Sequence, residues 1–465
     1  MHPTTKPIMA EKRMRYDEVA WKKSDETFAA WRKRLFNEKV FRDIGALIIR
    51  HRGGPAEELF PPRKGSFNVI LRMKFLDGGS AVIRFPAAGF SMFPEEKLLR
   101  EVSVMRFIEY NTSIRVPHVL YHGKSEEIPA GLGPFIIMEY LENDSDIIDA
   151  LNIPGRADED RPILDPNISD ERLRFAYSQM AEILLQLGRP SFSKIGCLTS
   201  NGDEDFEEWD VTHRPLTINM NELVQLGCVP EHLLPQQPFE TASSYFLALA
   251  ELHMTHLSSQ RNDAFDSEEE CRTKYIARCL FRKLARENRL CSHDNGPFKL
   301  FCDDLRPANV LANSEYNYAV VGAIDWEFTY AAPTEFVHSP PSWLLLERPE
   351  YWEAGLNDWT RAYQERLPVF LEELQVREDV AIQRGIMSEK DRLSQHMKTS
   401  WESGDFWVSY AARRSWAFDM IYWARIDRRF FGTGDLQDRL SLLTREERQE
   451  MEGFVQRKMA ENVGL

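Results

Sequence analysis

The chain has 465 residues, of which 43% are hydrophobic and 28% are charged, a composition typical of a globular protein with several compact units and not of a disordered or fibrous chain. Its formal net charge of -15 disfavours binding along the phosphates of a nucleic acid. No apolar run approaches the roughly 20 residues that span a bilayer, and no apolar stretch follows the first basic residues as a secretory signal requires. We therefore expect a cytoplasmic protein that binds neither nucleic acid nor a membrane.

The six cysteines form no closely spaced pair and no zinc-binding pattern. They are also too few, in a chain of this length, for a disulfide framework, so we expect reduced thiols. They are Cys197, Cys228, Cys271, Cys279, Cys291 and Cys302.

The first 62 residues are expected to be a helical extension, because apolar residues in 25–59 recur at three- and four-residue spacings. A β-rich texture follows. Residues 66–75 and 80–85 are short β-rich runs joined by the sequence Leu-Asp-Gly-Gly at 76–79. The glycines permit the positive φ of a tight turn, so this stretch predicts a β-hairpin.

A helix is predicted over residues 94–111. Pro94 suits the first helical turn, and Glu95 and Glu96 lie where the helix dipole favours negative charge. Residues 116–123 and 135–141 are typical of two further strands. Residues 63–141 are therefore expected to form a small antiparallel sheet with one packed helix.

Residues 142–465 are predicted to be mainly helical, with a few short strands and an exposed polar loop at 158–166. The predicted helices are 169–187, 243–257, 268–288, 349–374 and 401–431. The predicted strands are 299–302, 309–313 and 318–325.

The densest chemical signal is the segment CDDLRPANVL at 302–311, followed by IDWE at 324–327. A carboxylate five residues before an amide on one loop, with another carboxylate after the next hairpin, suits magnesium-dependent phosphoryl transfer. Asp304 would accept the hydrogen bond of an attacking hydroxyl. Asn309 and Asp325 would supply oxygen ligands to Mg²⁺.

At these residues the chain resembles the aminoglycoside phosphotransferase and choline kinase branch of the protein-kinase-like fold, and in particular a large fungal group with CDDLRPxNVL and IDWEFTYAAP segments. In the antibiotic kinases the loop begins with histidine, whereas this chain has Cys302. The resemblance implies an α+β, bilobal protein-kinase-like fold. A small N-terminal antiparallel β-sheet lobe with one helix (63–141) would precede a large, mainly helical C-terminal lobe (142–465).

The resemblance also implies a nucleotide site in the first lobe. Arg84 occupies the place of the phosphate-pairing lysine, and Glu101 occupies the place of its glutamate partner. Ser66 lies in the loop over the phosphates, which has a single glycine. Glu139 and Tyr140 fall at the hinge, where backbone groups would bind adenine.

Several of these residues have an ordinary alternative. Arg84 and Glu101 would otherwise form a surface ion pair, and Arg306 is either a catalytic-loop cation near the γ-phosphate or a solvated turn residue. Asp303 is interpreted as a solvated or loop-capping carboxylate. Glu327 either supports the metal site or has a structural role.

The numerous aromatic residues after residue 330 are expected to be core. Some of them, with Glu327 or Asp405, would be able to hold an amine by cation–π contact and charge.

The leading hypothesis is an ATP- and Mg²⁺-dependent phosphotransferase that acts on a hydroxyl of a small metabolite, with an amine-containing one as an option. Asp304 and Arg306 are its catalytic candidates. A protein substrate is disfavoured because no Asp-Phe-Gly and Ala-Pro-Glu pair encloses an activation segment. The alternative hypothesis is a pseudokinase that binds nucleotide or acts as a scaffold. The identity of the acceptor, ATP versus GTP and the oligomeric state stay open.

Overall fold

The described chain begins with two helices, continues with a sheet that includes one helix between its strands, and is mainly helical afterwards. The computed structural model describes residues 13–156, 160–200 and 208–462. The strands are β1 (Ala56–Leu59), β2 (Arg63–Lys64), β3 (Asn68–Phe75), β4 (Ser80–Pro86), β5 (Val119–Gly123), β6 (Phe135–Glu139), β7 (Ser145–Asp146), β8 (Cys197–Ser200), β9 (Trp209–His213), β10 (Lys299–Cys302), β11 (Val310–Asn313), β12 (Ala319–Ala323) and β13 (Thr329–Ala332). The longer helices are α1 (Glu18–Leu35), α2 (Glu38–Arg52), α3 (Pro94–Asn111), α4 (Ile147–Leu151), α5 (Asp170–Leu187), α6 (Ile218–Leu226), α7 (Ala242–Ser259), α8 (Glu268–Arg286), α9 (Thr334–Val337), α10 (Leu356–Gln383), α11 (Leu393–Ser403), α12 (Asp405–Arg413), α13 (Phe418–Ile421), α14 (Asp427–Phe431), α15 (Leu436–Ser441) and α16 (Arg445–Asn462).

The first lobe is built on an antiparallel sheet of six strands in the order β1-β3-β4-β6-β5, with β2 paired to β3. Its centre is the predicted hairpin of β3 and β4, whose turn contains Gly78 at a φ of +89°. Strands β5 and β6 complete the sheet, and α3 runs over the predicted residues. The predicted α+β fold class, with a small sheet lobe before a mainly helical lobe, is confirmed.

The two faces of the sheet pack against different partners, because successive side chains of a strand point to opposite faces. On β4, Ile83 and Phe85 belong to a core cluster that includes Trp31 of α1 and Ile44 of α2. Val82 instead belongs to the main core with α3 and the helical lobe. Two residues from Val82 along β4, the next side chain on this inner face is that of Arg84.

The N-terminal extension differs from the prediction at its end. The helices stop at Arg52, and Ala56–Leu59 forms an edge strand paired to β3. Gly53 and Gly54, both at positive φ, redirect the chain between them. The two helices pack on the outer face of the sheet. Because β1 pairs with β3, the predicted boundary at residue 62 separates this strand from the sheet it joins. Residues 1–12 lie outside the described residues.

The predicted helix 401–431 is wrong as one continuous element. Gly404, at a φ of +84°, separates α11 from α12, and the stretch Tyr422–Ile426 has π-helical hydrogen bonding. The hairpin of β8 and β9 and the helices α6 and α16 were not predicted. Part of the predicted loop 158–166 lies outside the described residues.

Two further features concern the cysteines and the length and apolar character of the helices. All six cysteines lie among the described residues as free thiols. No helix in the described part of the chain combines the length and the apolar character that crossing a membrane requires.

A histidine pair on the helical lobe makes stability depend on pH. His338 stacks on His396 with 4.0 Å between ring centroids. Burial, together with His396, His293 and Lys299, lowers the pKa of His338 to about 3. The unfolded chain binds this proton near pH 6.5 and the native protein does not, so stability falls as the pH drops below about 6.5.

We expect the free energy of unfolding to decrease by about 1–2 kcal/mol between pH 7.5 and pH 5 through this group. His338→Gln should flatten the slope of urea-unfolding free energy against pH. His118→Gln, which removes a ring that is 60% exposed, is the control. An unchanged slope in His338→Gln would contradict the assignment.

Candidate active site

The hairpin of β11 and β12, enclosed by the paired strands β10 and β13, brings the predicted catalytic residues of the segment 302–327 together. Strand β10 pairs with β13, and β11 pairs with both β12 and β7. The backbone N–H of Ile324 donates to the carbonyl oxygen of Asn309 at 2.9 Å. Asn309 therefore lies beside the residue that precedes Asp325, although the two metal candidates are 16 positions apart in the sequence.

Asp304, Arg306 and Asn309 contact one another within the catalytic loop. The side-chain amide of Asn309 donates to the backbone carbonyl of Asp304 at 2.8 Å and approaches its carboxylate at 3.4 Å. Arg306 Nε lies 3.3 Å from Asp304 Oδ1. Arg306 is thus an ion-pair partner of Asp304 and not an isolated solvated turn residue. Asp304 therefore has a cation and an amide beside its carboxylate.

Arg84 connects the sheet lobe to Asp325, which follows β12. Its guanidinium is buried, donates to Glu101 of α3 through Nη2, and donates to Asp325 Oδ1 at 2.9 Å through Nη1. The alternative of a surface ion pair is wrong, since Arg84 and Glu101 are 4% and 1% exposed. Burial raises the pKa of Asp325, and Arg84 opposes that shift.

A second buried ion pair lies between the lobes. Lys97 of α3 donates to Glu327 and, at 2.8 Å, to the side-chain oxygen of Asn68. Asn68 in turn donates to Glu327 at 2.9 Å. Burial acts to raise the pKa of Glu327, but Lys97 and Arg84 outweigh it and hold that pKa below its usual range. Glu327 therefore holds the lobes together by pairing with Lys97.

Asp303 anchors the catalytic loop to α12. Its side chain is buried and accepts from Arg413 Nη1 at 3.2 Å, and its backbone carbonyl accepts from Arg414 Nη2 at 3.3 Å. Of the two roles expected for Asp303, solvated or loop-capping, the solvated one is therefore wrong. The Arg413 guanidinium also lies 4.7 Å from the centre of the Phe301 ring. Arg413 therefore packs on an aromatic ring and pairs with Asp303.

The residues of the sheet lobe that were predicted to contact the nucleotide differ in whether they are free to do so. Ser66 is exposed in the turn between β2 and β3, and the adjacent Phe67 packs edge-on against Phe328. At the hinge, the N–H of Glu139 donates to a backbone carbonyl of the same lobe, and that of Tyr140 donates to the carbonyl of Ser80 at 3.2 Å. Both of these N–H groups are engaged within the protein, so a nucleotide would have to use other hinge groups.

The side-chain oxygens of Asn309 and Asp325 are ligands of the kind that Mg²⁺ binds. Because the NH₂ of Asn309 is turned to Asp304, its amide oxygen is the end left for a cation. Asp325 turns sharply, at a φ of +57°, and about a third of its side chain is exposed. No group of three or more His, Cys, Asp or Glu residues within the described ranges is arranged to hold a metal. Mg²⁺ in phosphoryl-transfer sites, however, takes one or two protein ligands and completes its shell with phosphates and water.

A cavity of about 220 Å³ lies beside the catalytic loop, lined by Asp304 and Arg306 together with Trp343 and Tyr351. It is in the place expected for an acceptor. Asp405, one of the two carboxylates considered for holding an amine, pairs with Arg429 and does not line this cavity. Glu327, the other, is occupied by Lys97.

Cys302, which replaces the histidine of the resembled loop, is buried at the end of β10 opposite Thr329. Burial raises the pKa of its thiol to about 12. A thiol that is both inaccessible and protonated is a poor nucleophile. Cys302 is therefore a packing residue beneath the catalytic loop.

We expect native protein treated with iodoacetamide to be labelled at the exposed Cys228 well before Cys302. Mass spectrometry of tryptic peptides measures the extent of alkylation at both cysteines in one experiment, so Cys228 is the internal control. Rapid labelling of Cys302 that Mg-ATP prevents would show instead that the thiol faces the nucleotide site.

Comparisons with known proteins give distant matches. No protein-family model matches the chain. A protein of Debaryomyces hansenii named "Altered inheritance of mitochondria protein 9, mitochondrial" is 24% identical over 303 residues, which are 58% of this chain and 46% of that protein. The chain thus matches a little under half the length of this relative.

Among solved structures, a Plasmodium vivax ethanolamine kinase is 13% identical, with 92% of this chain and 88% of that chain covered and a TM-score of 0.43. A macrolide 2'-phosphotransferase type I is 14% identical, with coverages of 80% and 96% and a TM-score of 0.37. A macrolide 2'-phosphotransferase of Brachybacterium faecium is 12% identical, with coverages of 80% and 98% and a TM-score of 0.34.

Sequence reasoning missed Lys97 and the arginines around the acceptor cavity. Lys97 had a detectable signal, because it precedes Glu101 by four residues and so lies on the same face of α3. Arg348 and Arg414 had none, since each comes from a separate part of the helical lobe.

Proposed function

We propose that this protein is a phosphotransferase that uses ATP and Mg²⁺ to phosphorylate a hydroxyl of a small molecule. The observation that supports this most is the linked arrangement of Asp304, Asn309 and Asp325, with Arg84 directed at Asp325 from the sheet lobe. Asp304 accepts the proton of the attacking hydroxyl, and Arg306 keeps its carboxylate oriented. Such a site acts mainly by positioning and by neutralising charge.

Asn309 and Asp325 are the residues that would hold Mg²⁺, which when bound neutralises charge on the transferred phosphoryl group. Arg84 orients the phosphates, and Glu101 orients Arg84. An arginine at this position can bind phosphate through two nitrogens, which a lysine cannot do.

The pseudokinase alternative is favoured by one specific observation. Arg84 already pairs with both Glu101 and Asp325, so a phosphate must compete with two carboxylates for this guanidinium. Formation of ADP that depends on Asp304 would exclude the alternative. Binding of Mg-ATP without any turnover would support it.

The test of the metal site is Asp325→Asn, which keeps the shape of the side chain and the acceptor for Arg84. We expect affinity for Mg-ATP to fall by roughly tenfold to a hundredfold, as happens when the surroundings of a metal ligand are disturbed. Affinity for ATP in EDTA should change little. Calorimetric titration of both forms of the nucleotide measures the two losses. Equal losses with and without Mg²⁺ would contradict a role through the metal.

We retain the cytoplasmic location expected above as part of the proposal. The name of the Debaryomyces hansenii relative, in contrast, places that protein in mitochondria. Subcellular fractionation of cells that express the full chain, with marker enzymes for each compartment, distinguishes the two locations.

A further inference from the structure

The acceptor cavity has arginine side chains on several sides. Its walls include Arg306 of the catalytic loop, Arg161 of the preceding loop region, and Arg348 and Arg414 of the helical lobe. Within the described part of the chain, the residues assigned above to nucleotide and metal do not line it. The cavity therefore lies on the acceptor side of Asp304.

Two of these arginines have donors without protein acceptors. The guanidinium of Arg348 makes no hydrogen bond or ion pair with the described residues, although it is close enough to Asp304 to be influenced by its charge. Burial opposes its charge, but Glu350 and Glu222 more than compensate and hold the Arg348 pKa above its usual range. Arg348 is half-buried at the cavity wall, so its guanidinium donors are free to bind a ligand there.

Arg414 is in a similar state. Its Nη2 donates to the backbone carbonyl of Asp303, whereas its Nη1 and Nε are shielded from water and find no acceptor among the described residues. A guanidinium with free donors in a fixed plane matches the paired oxygens of a carboxylate or a phosphate.

The lining of the cavity carries carboxylates as well as arginines. The carboxylates are Asp303, Asp304 and Glu347, against four arginines. Asp303 is already paired with Arg413, which lies outside this cavity. Glu222 and Glu350 also lie close to Arg348, so charge around the cavity is nearly balanced, and the free donors of Arg348 and Arg414 are what favour an acceptor with carboxylate or phosphate oxygens.

We propose that the acceptor is a small hydroxylated anion, whose carboxylate or phosphate oxygens bind Arg348 and Arg414. This inference rests on the proposed phosphotransferase function. The acceptor hydroxyl then lies at Asp304, which takes its proton as the hydroxyl oxygen forms a bond to the γ-phosphorus. The bond from that phosphorus to the bridging oxygen of ATP breaks, and ADP leaves.

Four compounds with the same carbon skeleton test the proposal: gluconate, glucose 6-phosphate, glucose and glucosamine. Each is added at up to about 10 mM to nucleotide-free protein, and the melting temperature is measured, because a ligand that binds the native state raises it. We expect at least one of the two anions to raise the melting temperature, and glucose and glucosamine to leave it unchanged. A response to gluconate identifies a carboxylate, and a response to glucose 6-phosphate identifies a phosphate.

Arg348→Met should abolish the response to the anion, and Arg348→Lys should restore part of it. Arg361→Met, which removes an exposed arginine elsewhere on the helical lobe, is the matched control and should respond as the wild type does. Retained Mg-ATP binding in Arg348→Met establishes that the variant is folded.

The proposal is overturned if neither anion raises the melting temperature, if glucosamine does so as strongly, or if Arg348→Met responds normally. Because no nucleotide is present, these outcomes are separate from a failure of ATP turnover, which would contradict the proposed function.

Discussion

An Asp304→Asn variant is expected to lose turnover by about 10²–10⁴-fold, the usual contribution of a positioned general base. Its affinity for Mg-ATP should stay within a few-fold of the wild type, because the contacts of Asp304 are with Arg306 and Asn309 of its own loop. The two quantities are measured as ADP released from Mg-ATP, with water in place of the acceptor, and as calorimetric binding of the nucleotide.

Asp210→Asn is the matched control, because it neutralises an exposed carboxylate on β9 and should leave both quantities unchanged. Turnover within about threefold of the wild type in Asp304→Asn would remove Asp304 from the catalytic role, since it is far smaller than the effect of losing a base. A parallel loss of nucleotide affinity would indicate damage to the whole loop.

Glu327→Gln should have the largest effect on stability. It leaves the Lys97 ammonium, which is 2% exposed, without its counter-charge between the lobes. Removing one partner of a buried ion pair typically costs about 3–5 kcal/mol. Urea unfolding followed by tryptophan fluorescence measures the loss.

The double variant Lys97→Met, Glu327→Gln removes both charges and should recover part of that loss. Glu38→Gln, which breaks an exposed pair with Arg42, should change stability by no more than about 1 kcal/mol. A loss in Glu327→Gln that is no larger than this surface value would contradict a buried ionic link between the lobes.

The sheet lobe was predictable because its signals are local. The turn glycines fix the β3–β4 hairpin, and Pro94 with the acidic residues after it marks the start of α3. The helical lobe was less predictable, since residues 401–431 have a continuous helical composition while tertiary packing imposes a left-handed Gly404 and a π-helical turn. Composition does not record such interruptions.

The catalytic loop was predictable for a similar reason, because Asp304 and Asn309 are five residues apart. The pairing of Lys97 with Glu327 joins residues 230 positions apart, and no spacing rule connects them. The same applies to the convergence of Arg348 and Arg414 on Asp304, which depends on how separate parts of the helical lobe pack.

The most direct test of the account is to incubate the protein with Mg²⁺, ATP carrying ¹⁸O in its γ-phosphoryl group, and a cell extract of small metabolites. Mass spectrometry then identifies every metabolite that gains one labelled phosphoryl group. We predict a labelled product with the wild type and none with Asp304→Asn. Binding of Mg-ATP by the wild type without any labelled product would contradict the account.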